Sequence, residues 1–83
     1  MSLLKGHIVW ADDEIKMLEP HIIYLRNKGY MVTPLNSGED AIEFCDNNKV
    51  DILLLDEMMT GLDGLTTLKK IKIKSPLLPV IMI

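Results

Sequence analysis

Four short apolar runs separated by three amphipathic segments predict an α/β fold in these 83 residues. The expected form is a doubly wound parallel sheet of four strands, with helices on both faces. The apolar runs are continuous rather than alternating, as strands covered on both sides require. Two of them also end in clustered carboxylates, Asp12-Asp13-Glu14 and Asp56-Glu57. In sheets of this kind, ligands bind at the carboxyl ends of the strands.

Ile8-Val9-Trp10-Ala11 is the first strand, and Asp13 can cap the helix after it. In that helix Ile15, Leu18, Ile22 and Leu25 recur at spacings of three and four, so they share one apolar stripe. Pro20 lacks the N–H that would reach the carbonyl of Lys16, which predicts a kink. Lys28-Gly29 supplies the stop. Tyr30-Met31-Val32-Thr33-Pro34 is the second strand, and its proline predicts an edge position or a strand end.

Ser37 and Asp40 form a cap for a helix from about Gly38 to Asn48, with Ala41, Ile42 and Cys45 facing inward. Residues 51–55 are the third strand. Asp63-Gly64 is a turn that also caps the third helix, in which Leu65, Leu68 and Ile71 share a face. Ser75-Pro76 ends that helix. Leu78-Pro79-Val80-Ile81-Met82-Ile83 reads as the fourth strand.

The composition is that of one small globular domain, 48% hydrophobic and 25% charged, with a net charge of −3. A domain this short buries only roughly 60% of the surface its unfolded chain exposes, so its stability margin is thin. The cluster from Lys69 to Lys74 alternates with Ile71 and Ile73, which predicts a solvated helix face ending in favourable positive charge rather than a nucleic-acid surface. The single Cys45 can form no internal disulfide, in keeping with a reducing compartment. No run approaches the roughly 18 apolar residues that span a bilayer, and no signal peptide is evident. The expected location is the cytoplasm. Met1-Ser2-Leu3 reads as a cloning remnant and carries no weight.

If the first and third strands are neighbours, Asp12, Asp13 and Asp56 converge on one crevice. Three adjacent carboxylates repel, so either some protonate or a cation sits among them. Oxygen-only donors select a hard ion, and few protein ligands plus waters suit Mg2+. An aspartate in such a site can also serve as nucleophile in phosphoryl transfer. His7 and His21 have no ligand spacing with each other or with Cys45, which argues against zinc. Asp63 reads as a cap rather than a ligand, and Met59 as packing.

Asp12-Asp13 after the first strand, Leu-Leu-Asp56 after the third, and Met59-Thr60-Gly61-Leu62-Asp63-Gly64 together resemble the receiver domain of bacterial two-component response regulators. The resemblance covers nearly the whole chain and implies a flavodoxin-like, CheY-like fold. It implies that Asp56 is the phosphoacceptor, taking a phosphoryl group from a phosphohistidine on a sensor histidine kinase. Asp13 and Asp56 would ligate Mg2+ directly, Asp12 would act mainly through water, and the backbone carbonyl of Met58 would complete the protein ligands. The Met58 side chain would influence access of water to the phosphoryl group. Within the family, Trp10-Ala11-Asp12-Asp13-Glu14-Ile15 with Leu18-Glu19-Pro20-His21 is similar to PorX-type receivers of Bacteroidetes, which carry a phosphodiesterase-like output domain.

Two departures from the family pattern stand out. The family usually has proline where this chain has Thr60, and the replacement is expected to loosen the loop without removing a ligand. The family's Ser/Thr switch residue and its Lys would both fall beyond Ile83, as would the fourth helix, fifth strand and fifth helix. Residues 1–83 therefore read as the first part of a receiver, with a fourth strand whose edge invites self-association.

Two other functions compete with this reading. Asp56 and Thr60 match the Asp-x-Asp-x-Thr spacing of aspartate-nucleophile phosphohydrolases, but Met58 occupies the position of the acid/base carboxylate and cannot carry a proton. The other is a receiver-like interaction module that is never phosphorylated, against which the intact acidic triad argues. Nucleic acid would be bound only by a separate output domain.

Overall fold

Strand and helix alternate in the expected order through residues 5–83, which a computed structural model describes. Met1-Ser2-Leu3 lies outside the described residues. The strands are β1 (His7–Ala11), β2 (Met31–Leu35), β3 (Ile52–Leu55) and β4 (Val80–Met82). The helices are α1 (Glu19–Asn27), α2 (Gly38–Asn47) and α3 (Gly64–Lys74), with a 3-10 turn over Ile15–Leu18 ahead of α1. All strand pairs are parallel, and the order across the sheet is β2-β1-β3-β4. The architecture is the doubly wound parallel sheet that the alternation predicts.

Alternation along the strands divides the core between the two faces of the sheet. Val9, Ala11, Leu53 and Leu55 pack with Ala41 and Cys45 of α2 and Ile71 of α3. Ile8 and Val32 pack on the other face with Ile15 and with Ile22 of α1, flanked by Trp10, Leu18 and Leu25. Val9, Ile22, Leu53 and Leu55 are fully enclosed, and burying each contributes about 1.5–3 kcal/mol. Met59 is also buried, as expected of a packing residue.

Local signals explain most element ends. Ser37 accepts the Asp40 N–H at 3.1 Å to start α2, and Asp63 accepts the Thr66 N–H at 2.8 Å to start α3. Gly29, with φ of 100°, leaves α1 through a left-handed conformation that side chains disfavour. Pro34 lies in β2, an edge strand, where its missing donor is tolerated.

Four expectations need correction. Pro20 makes no mid-helix kink: it falls in the first turn of α1, where its N–H would have no intrahelical partner anyway. The residues before it close tighter bonds instead, from Ile15 N to Asp12 O (3.0 Å) and from Met17 N to Glu14 O (2.9 Å). Asp13 does not cap this segment, because the Glu14 N–H goes to Asp12 Oδ1 at 2.8 Å and Asp13 is engaged elsewhere. On α3, Leu65 is exposed, and the buried positions are Gly64, Thr67 and Ile71. Thr67 can be buried because its hydroxyl donates to Asp63 O at 2.7 Å. β4 is only three residues long, since Pro79 has no N–H, although Pro79 O still accepts from Leu53 N at 3.0 Å.

The close fit of α2 against α3 depends on Gly38, where a Cβ would approach Thr67 Oγ1 to within 2.1 Å. Gly38→Ala should therefore destabilise the domain by about 1–3 kcal/mol. The cost should fall in a Thr67→Ala background, as a double-mutant cycle by urea denaturation would show.

The bond from Thr66 N–H holds the Asp63 carboxyl below its ordinary range. A lowered folded-state pKa gives stability that is present above the unfolded value of 3.8 and is lost as pH falls through the lower folded value. The stability advantage of wild type over Asp63→Asn should accordingly persist near neutrality and shrink below that value in pH-dependent unfolding.

Candidate metal centre

β1 and β3 are neighbours, with Ala11 opposite Leu55. The next residues, Asp12 and Asp56, therefore leave the sheet side by side. Their backbones are tied to the strands alongside: Asp56, after β3, donates its N–H to Ala11 O of β1 at 3.0 Å, and Asp12, after β1, donates its N–H to Leu35 O of β2 at 3.1 Å. The chain passes from β1 to β2 in one direction across the sheet and on to β3 in the other. The crevice between β1 and β3 is thus the point of reversal where such folds bind ligands.

Asp12, Asp13 and Asp56 each offer a carboxylate oxygen within 4.8 Å of the others. The Asp12 carboxyl is pushed up from its ordinary value, first by burial and then by the negative charges of Asp56 and Asp13, against the opposing bond from Glu14 N–H. The Asp13 carboxyl is held down, chiefly by the Thr60 backbone N–H and then by the Thr60 hydroxyl. Repulsion among close carboxylates and an oxygen-only donor set are both met by a hard divalent cation. A softer metal has no ligands here. His7 sits at the start of β1, at the other end of the sheet, bonded to Lys49 O and Thr33 Oγ1.

The loop after β3 shapes the rest of the site. Met58 N donates to Asp56 Oδ1 at 3.1 Å, while the Met58 side chain is 81% exposed. Gly64 lets α3 start hard against this loop, because a Cβ there would lie 2.4 Å from Asp56 O and 2.7 Å from Glu57 Cα. Gly64 N closes the loop on Glu57 O at 3.1 Å. An open depression of about 540 Å³, lined by Asp13, Met58, Met59, Thr60 and Leu65 among others, lies beside the carboxylates.

Thr60 is tied rather than loosened. Its N–H and its hydroxyl both donate to Asp13 Oδ2, at 2.9 and 2.8 Å. The sequence holds the signal for half of this: a non-proline residue keeps its N–H. What it does not show is that the loop folds back to a carboxylate 47 residues earlier.

Comparison with known proteins agrees with this geometry. Residues 8–83 match the family profile described as the response regulator receiver domain. The chain is 34% identical over 80 residues to the regulatory protein VanR of Enterococcus faecium, covering 96% of this chain and 34% of VanR. It is 38% identical over 74 residues to the transcriptional regulatory protein ZraR of Escherichia coli K12, covering 89% of this chain and 17% of ZraR. The chain thus spans about a third of the length of VanR and about a sixth of that of ZraR.

Among solved structures, the receiver domain of the hybrid histidine kinase CckA superposes with a TM-score of 0.84 at 33% identity, covering 93% of this chain and 73% of that one. The Thermotoga maritima response regulator TrrA, solved in complex with Mg2+-BeF, gives 0.85 at 27% identity, covering 93% and 67%. With strand order, acidic crevice and sequence profile in agreement, the chain belongs to the receiver domain family of two-component response regulators.

Proposed function

We propose that this receiver is a phosphoacceptor: Asp56 takes a phosphoryl group from a phosphohistidine on a sensor histidine kinase and thereby switches an output. The observation that carries the proposal is the convergence of Asp12, Asp13 and Asp56 within 4.8 Å at the reversal point of the sheet. Asp13, Asp56 and the Met58 backbone carbonyl would hold Mg2+ directly, with Asp12 acting mainly through water. Bound there, Mg2+ would offset the charge of the arriving phosphoryl group.

The protein's own groups position the acceptor. Met58 N–H fixes Asp56 Oδ1, which leaves the other oxygen as nucleophile. That oxygen attacks phosphorus, the phosphorus–nitrogen bond breaks, and the donor imidazole leaves with the electron pair. Hydrolysis returns the carboxylate and inorganic phosphate. The exposed Met58 side chain is apolar and offers no hydrogen bond to an attacking water, which favours a longer-lived acyl phosphate.

The complex of TrrA with Mg2+-BeF supports the choice of metal by similarity. The role is that of a signalling switch, with no substrate turned over for its own sake. VanR and ZraR are regulatory proteins, so contact with nucleic acid, where it occurs, would belong to a separate output domain. No helix among the described residues is long and apolar enough to cross a membrane, in keeping with action in the cytoplasm beside the kinase's phosphorylated domain.

Full-length protein incubated with phosphoramidate and Mg2+ should gain one phosphoryl group by intact-mass spectrometry, mapped to Asp56. The gain should vanish on addition of EDTA and in Asp56→Asn, which keeps the shape of the side chain but loses the nucleophile. A phosphoryl group on another residue, or full modification of Asp56→Asn, would refute the assignment.

A further inference from the structure

Asp13 reaches across the crevice. It lies in the turn after β1, yet one of its oxygens, Oδ2, accepts two hydrogen bonds from Thr60 in the loop after β3. The other oxygen, Oδ1, takes no part in either bond. A carboxylate on two rotatable bonds, next to two others of like charge, would otherwise turn toward solvent. With Oδ2 held, the free oxygen has a defined direction, and less conformational freedom remains to be lost when a cation binds.

We propose that Thr60 is a positioning residue for Asp13, latching one carboxylate oxygen so that the other is presented to the divalent cation. The inference rests on the reading of Asp13 as a Mg2+ ligand and deepens it. The two arms of the latch have different chemical requirements. The N–H arm is available to any residue except proline. The hydroxyl arm is available only to threonine or serine among side chains of this size. The latch also joins the two loops that carry the acids, so the site is held from both sides before a cation arrives.

Binding of MgCl2 to full-length protein, measured by isothermal titration calorimetry, tests the proposal. Thr60→Val keeps the shape and the N–H but removes the hydroxyl, and should raise the dissociation constant about tenfold, the lower end of what lost outer partners of metal ligands cost. Thr60→Ala should give the same shift, and Thr60→Ser should bind as wild type does. Melting temperatures in EDTA should fall only slightly in Thr60→Val and Thr60→Ala and not in Thr60→Ser, since Thr60 is exposed and a single surface hydrogen bond is lost.

Wild-type affinity in Thr60→Val, or a loss in Thr60→Ser equal to that in Thr60→Val, would overturn the latch while leaving Asp13→Ala unable to bind. Unchanged binding in Asp13→Ala would instead remove Asp13 as a ligand, and the latch with it.

Discussion

The parallel pairing of β1 with β3, with Ala11 set opposite Leu55, is the constraint on which the site depends. Side chains alternate along a strand, so a slip of one residue would turn Leu53 and Leu55 away from α2 and α3 and undo that half of the core. The register is held by enclosed apolar side chains on both faces. The acids inherit their positions from it: they are simply the first residues beyond the ladder. Apolar burial thus offsets the repulsion of bringing Asp12 and Asp56 together, and a bound cation would relieve what repulsion remains.

A second layer of control comes from backbone proximity. Gly64 brings α3 against the carbonyl of Asp56, and Gly38 brings α2 against Thr67 of α3. Together they set where the loop after β3 can run, and this loop carries the Met58 N–H that fixes Asp56 and the Thr60 donors that fix Asp13. The chemistry of the site is therefore coupled to helix packing. A change in how α3 sits would be felt at Asp56 through this close approach at Gly64.

The strands, the helices and the two acidic clusters are legible because each leaves a local mark, whereas the adjacency of β1 and β3 enters the sequence reading only as a condition. Continuous apolar runs marked the strands, Ser37 and Asp63 marked helix starts, and two carboxylate clusters marked the crevice. The errors share a cause: each involved competition for a partner that sequence does not reveal. Asp13 has the position of a cap ahead of a helix, but the Thr60 N–H and hydroxyl engage it and leave Asp12 to take the Glu14 N–H. The periodic stripe runs through Pro20 and so predicts a kink, whereas a 3-10 turn accommodates the missing donor and keeps the stripe. Spacing places Leu65 on one face with Leu68 and Ile71, yet it is exposed, and satisfaction of the Thr67 hydroxyl by Asp63 O lets a threonine take the enclosed position.

On this reading the two strand ends would create one divalent-cation site from residues far apart in the chain. Paramagnetic broadening by Mn2+ in amide-resolved NMR spectra tests it most directly, because the effect falls steeply with distance from the ion. Selective broadening of amides in residues 12–14 and 56–60 at low Mn2+, reversed by excess Mg2+, is the expected result. Broadening spread over the acidic residues of α2, such as Glu39, Asp40 and Glu43, with residues 12–14 and 56–60 no more affected, would contradict it.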